Sequence, residues 1–68
     1  MATVQRFRGS DGKSYSITTN GNKQYLESNG NTLFSYDSYT NKTFRGNKAS
    51  ERVGDGNLLT SLLSALLG

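Results

Sequence analysis

Three dipeptides, Asp11-Gly12, Asn20-Gly21 and Asn29-Gly30, stand nine residues apart along this chain. Each is of the kind favoured at the centre of a two-residue hairpin turn. A type I′ turn needs positive φ at both central positions, and Asn, Asp and Gly adopt it at least cost. Between the pairs lie the runs KSYSITT, NKQYLES and NTLFSYD, which mix β-branched and aromatic residues with polar ones. TVQRFRGS precedes the first turn, and SYTNKTFRG reads as a further turn and short strand. No proline interrupts any of them. The spacing predicts a mainly β fold: an antiparallel meander of five strands near 3–9, 13–19, 22–28, 31–37 and 42–46. Such a sheet can stay open, curl, or close into a small barrel. A β-solenoid shares the period, but the calcium-binding form needs Gly-Gly-x-Gly-x-Asp, which is absent.

Two-residue turns would fix the registers. About Asp11-Gly12, Phe7 would face Ser16. About Asn20-Gly21, Ile17 would face Gln24 and Tyr15 would face Leu26. About Asn29-Gly30, Leu26 would face Leu33 and Tyr25 would face Phe34. Side chains alternate across a strand, so one face would collect Val4, Tyr15, Ile17, Leu26 and Leu33. The other would collect Phe7, Tyr25, Phe34 and Tyr36, and a slip of one residue would exchange the sets.

The last segment, GDGNLLTSLLSALLG, has a different period. Leu58, Leu59, Leu62, Leu63, Leu66 and Leu67 fall on one half of a helix, with Thr60, Ser61, Ser64 and Ala65 on the other. Asp55 or Asn57 suits its N-cap, and Gly68 ends it. One domain is expected, with the meander over 1–47, a polar connector over 48–56 and the leucine-rich helix over 57–68. A short helical turn near 49–53 fits the connector.

Buried fully, each leucine would contribute roughly 1.5–3 kcal/mol, more than anything else in a chain of 68 residues. The helix could lie across its own sheet and complete the core, or dock on a neighbouring subunit or larger assembly. Membrane-surface binding is disfavoured, because the helix carries no charge and such helices normally carry Lys or Arg. Whichever sheet face the helix leaves bare would present a contact surface, and the aromatic set Phe7, Tyr25, Phe34 and Tyr36 is the candidate.

Disulfides and thiolate metal sites are excluded, since the chain has no Cys, and with no His a zinc site is improbable. No cofactor is implied. The acids Asp11, Glu27, Asp37, Glu51 and Asp55 are scattered, and no pair suggests an acid/base couple. Catalysis is not expected. The start has no signal-peptide pattern, and the leucine run is shorter than the ~20 residues that span a bilayer, so a cytoplasmic or virion-associated location is favoured.

The net charge of +3 tolerates an anionic partner without demanding one. Arg6, Arg8 and Lys13 are the candidate anion contacts. Residues 3–18, TVQRFRGSDGKSYSIT, resemble the opening hairpin of cold-shock domains, five-stranded barrels that bind single-stranded nucleic acid. The family's two aromatics of the first RNA-binding strand would fall on Ser14 and Ser16. Its second aromatic-histidine motif is absent, and the leucine helix replaces its final strand.

The reading that follows is a non-catalytic structural protein that self-associates, or docks on a larger particle such as a virion, tail or filament. It would act through the leucine helix and the aromatic sheet face. A small single-stranded nucleic-acid-binding module using Arg6, Arg8 and Lys13 with Tyr15 and Phe34 is the alternative. A regulator or inhibitor that pairs its edge strand with a partner's sheet is a third.

Overall fold

The hairpin signals build one continuous antiparallel ladder. The computed structural model describes residues 2–48 and 50–68. Among these residues the strands are β1 (Ala2–Arg8), β2 (Ser14–Asn20), β3 (Lys23–Ser28), β4 (Asn31–Asp37), β5 (Lys42–Arg45) and β6 (Arg52–Asp55), followed by the helix α1 (Leu59–Leu67). The six strands lie in chain order in a single sheet that does not close into a barrel. The meander and C-terminal helix are therefore as expected, with a sixth strand where a polar connector was foreseen. Of the helical turn expected near 49–53, Arg52 and Val53 are in β6, while Ala49 lies outside the described residues.

Turn chemistry explains where the registers depart from expectation. Asn29 and Gly30 both have positive φ, 53° and 79°, and the turn behaves as predicted. At the second turn the ladder closes at Asn20↔Lys23, so the loop is Gly21-Asn22. Gly21, at φ 61°, occupies the first loop position, which a type II′ turn reserves for Gly. Ile17 then opposes Leu26 rather than Gln24. The slip is two residues, so no side chain changes face. At the first turn Gly9 N–H donates to the Lys13 carbonyl at 2.8 Å, leaving a three-residue loop, Ser10 to Gly12. Only Gly12 is left-handed there, and Asp11 Oδ1 accepts the Lys13 N–H at 2.9 Å.

That odd-numbered loop turns β1 over. Phe7 opposes Tyr15 rather than Ser16, so it joins the face of the core while Val4 moves to the other. A second inversion comes from a bulge between Leu26 and Glu27, beyond which Leu26 opposes Phe34 and Gln24 opposes Tyr36. The expected division into an aliphatic and an aromatic face is thereby corrected. Phe7, Tyr15, Ile17, Leu26, Phe34 and Tyr36 share one side by register, and Leu33 also packs against that core. Tyr25 and Val4 stand on the opposite side, in the cross-strand row Val4–Thr18–Tyr25–Ser35–Phe44–Arg52.

Helix α1 covers the first of these faces. Leu59 and Leu63 are buried with Tyr15, Ile17 and Leu26, and Leu62, Leu66 and Leu67 pack around them. The N-cap position falls on Leu58, whose side chain cannot cap, rather than on Asn57 as expected; Asn57, one residue earlier, accepts the Leu59 N–H on its Oδ1 at 3.1 Å in a local turn. Asp55 does not cap the helix; it ends β6 and pairs with Lys42 and Arg52, each at 3.3 Å. Thr43, fully buried, fastens the helix start to β5. Its Oγ1 accepts the Leu58 N–H at 3.1 Å and donates to the Gly56 carbonyl at 2.8 Å. Leu58 packs over Gly54, where a Cβ would stand only 2.9 Å from its Cδ1. At the other end, Ser10 N–H donates to the Leu67 carbonyl at 3.2 Å. The helix thus runs from the β5–β6 side of the sheet to the first hairpin loop. No helix among the described residues is long and apolar enough to cross a membrane.

Candidate functional site

With one face covered, two features of the sheet stay open: its far side and its β1 edge. The first five residues of β1, Ala2 to Arg6, are all exposed, as is Arg8. The other edge, β6, is four residues long and its pairing with β5 is broken by a register shift between Thr43 and Phe44. Short or bulged edges resist pairing with another chain, whereas a long regular edge presents a row of unpaired N–H and C=O groups. β1 is the regular one. Its pairing to β2 runs without a bulge from Ala2↔Asn20 to Arg8↔Ser14.

The far side carries a basic corner. Arg6 opposes Ser16, which opposes Glu27, and Arg8 opposes Ser14. These residues line an open groove of about 480 Å³, walled at one end by Ser28, Asn29 and Gly30. The bulge at Leu26/Glu27 lies just before that wall, and bulges bend the strand that carries them. Glu27 is half-buried and its Oε1 accepts the Thr18 hydroxyl at 2.9 Å. Ser28 Oγ donates to the Ser14 carbonyl at 2.9 Å, which ties the wall to β2. Among the described residues the ion pairs are Lys42–Asp55 and Arg52–Asp55, so Arg6 and Arg8 have none there.

The residues singled out in the sequence separate accordingly. The six leucines lie on the covered side or at its margin, each buried or half-buried. Of the four aromatics, Phe7, Phe34 and Tyr36 pack against the helix-covered core, and Tyr25 alone is on the open side. The four do not form one face. Arg6 and Arg8 come together in the groove, while Lys13 is not among its lining residues. Tyr15 is buried in the core, and Phe34, half-buried, packs against that core. Glu27 and the exposed Val4 are not candidates in the sequence reading, and Ser14 and Ser16 enter it only as the positions where the resembled family carries aromatics. Their signal is the matched spacing of Arg6, Arg8 and Ser14, Ser16, which becomes visible once the first loop has three residues.

Among the described residues no cluster of three or more His, Cys, Asp or Glu side chains could hold a metal ion. Comparison with known protein families, curated proteins and solved structures found no match. The fold is an open six-stranded antiparallel meander with a short C-terminal helix packed on one face.

Proposed function

We propose that this chain is a non-catalytic assembly module that joins a second copy of itself by pairing β1 edges antiparallel. The observation that carries this reading is the β1 edge itself, long, regular and exposed, on a sheet whose other edge is short and bulged. The leucine stripe is engaged within its own chain, so self-association passes from the helix to the strand.

The edge sequence ATVQRFR favours a two-fold arrangement. On the open face its first half bears Ala2 and Val4, and its second half Arg6 and Arg8. Antiparallel pairing centred on Gln5 sets Val4 opposite the second copy's Arg6 and Ala2 opposite its Arg8. No arginine then directly opposes another, whereas an in-register parallel pair would align like charges, which is unfavourable. A contact of this kind is isologous and closes at two copies.

Light scattering over a range of concentrations tests the reading, with hydrogen exchange at the β1 amides as a second measurement. Dimer formation should protect outward-pointing β1 amides. Val4→Glu, placed opposite Arg6, should tighten the dimer, and Val4→Arg should weaken it. Each acts twice by symmetry, at about 0.2–1 kcal/mol per cross-strand pair. A monomer at every concentration, with unprotected β1 amides, overturns the proposal.

A further inference from the structure

The groove on the open face has a chemistry that strand pairing does not require. Two Arg–Ser pairs stand side by side, Arg6 with Ser16 and Arg8 with Ser14, directly opposed across β1 and β2. Residues two apart on a strand point to the same side, so all four project from one face. Each pair offers a planar guanidinium fork and a hydroxyl. Guanidinium is charged at every accessible pH and matches the oxygen geometry of phosphate. An exposed Arg pair is ordinarily explained by ion pairing or by protection of a sheet edge. Here neither has an ion pair among the described residues, and protection of an edge does not call for hydroxyls opposite each arginine.

We infer that this groove binds a phosphate ester, held by Arg8 and Arg6 with the Ser14 and Ser16 hydroxyls. Its size, about 480 Å³, is that of a small-molecule site and admits a phosphate with its attached organic group. Glu27 sets the orientation. It stands across Ser16 from Arg6 in register, with its carboxylate held by the Thr18 hydroxyl, so it repels the anion from that end and places the phosphate toward Arg8. The organic part then lies toward Glu27 and the wall at Ser28 to Gly30, whose polar groups suit a hydroxyl- or amine-bearing ligand. Such a ligand has two sources, a free nucleotide or one unit of a single-stranded nucleic acid. The phosphate chemistry is common to both.

The inference does not rest on the assembly reading, and its test is separate. Amide shifts of the full chain are followed by NMR during titration with inorganic phosphate, adenosine monophosphate and a short oligothymidylate at low salt. Shifts should gather at residues 6–8, 14–16 and 27–30 with at least one of the two nucleotide probes. A larger response to the oligonucleotide, falling steeply as salt rises, identifies the nucleic-acid source. A response of equal size to the mononucleotide identifies the free-ligand source. Arg6→Gln with Arg8→Gln should weaken binding by about tenfold or more, as loss of charge-assisted hydrogen bonds does. Arg8→Lys should fall between, because it keeps the charge and loses the fork. Lys48→Gln with Lys13→Gln removes the same net charge elsewhere and should change binding little. Equal loss in both pairs of variants, or no localised shift with any probe, overturns the inference.

Discussion

The hydroxyl of Thr43 receives the backbone N–H of Leu58 at 3.1 Å, across a sheet position with no solvent exposure. The same oxygen donates to the Gly56 carbonyl at 2.8 Å. One side chain therefore satisfies two main-chain groups at the point where β6 gives way to the helix. Thr43→Val keeps the shape and removes both bonds, leaving two part-buried polar groups without that partner. The expected loss is roughly 1–3 kcal/mol. Thr43→Ser should recover most of it. Urea denaturation of the three proteins measures the difference.

Leu59 and Leu63 seal the covered face, at 1% and 5% exposure. Replacing either with Ala should cost about 2–5 kcal/mol, from lost burial and the cavity left behind. A domain of this length has only roughly 3–10 kcal/mol in total, so one such change should leave a substantial unfolded fraction. Ser64→Ala, on the exposed side of the helix, should be neutral within about 0.5 kcal/mol. Far-ultraviolet circular dichroism through a thermal scan separates the cases. Ending the chain at Gly56 should unfold the sheet rather than release a stable fragment.

Asn20 and Asn29 look alike in the sequence, each followed by Gly, yet they should respond differently to substitution. Asn29 is left-handed at φ 53°, while Asn20 ends β2 with ordinary strand geometry. Asn29→Val should cost about 1–2 kcal/mol through steric strain in that region, and Asn29→Gly very little. Asn20→Val should be close to neutral. Midpoints from chemical denaturation of matched variants decide it.

Asp55 accepts from both Lys42 and Arg52, but its side chain is 71% exposed. Pairs of this kind contribute about 0–1 kcal/mol and are screened by salt. Asp55→Asn should therefore lower stability by less than about 1 kcal/mol, with the difference shrinking as ionic strength rises. A larger, salt-independent loss would point to a role in holding β6.

Strand content was readable because it rests on local chemistry. Asp11-Gly12, Asn20-Gly21 and Asn29-Gly30 each lie at or beside a loop that joins neighbouring strands. Face membership was not, because it depends on whether each loop and strand holds an odd or even number of residues. One additional loop residue before β2 moved Phe7 to the core, and one bulge in the β3–β4 pair moved Phe34 and Tyr36 there. Propensity is indifferent to a single inserted residue, and burial of a common apolar face decides it. β6 escaped notice for a related reason. RVGD is short and carries a Gly, so its order comes from pairing with β5 rather than from its own composition. The leucine period was legible throughout, although the N-cap falls on Leu58, one residue past Asn57. The basic corner was half legible: Arg6 and Arg8 stood out, but that Ser16 and Ser14 stand opposite them was hidden until the register was known.

The strictly sequential order of the strands bears on how the chain reaches this structure. Among the described residues, none paired in the sheet are farther apart in the chain than Ala2 and Asn20. Loop closure is inexpensive at such separations, and chains dominated by near-neighbour contacts fold quickly. Hairpins can form one after another, each marginal alone in water. The bond from Ser10 to Leu67 is of another kind, because it joins the first loop to the last turn of the helix. Until the helix docks, the core face that Leu59 and Leu63 cover is bare. Folding of this protein should thus be rapid in its early pairing and cooperative only at its final step, when the helix comes down.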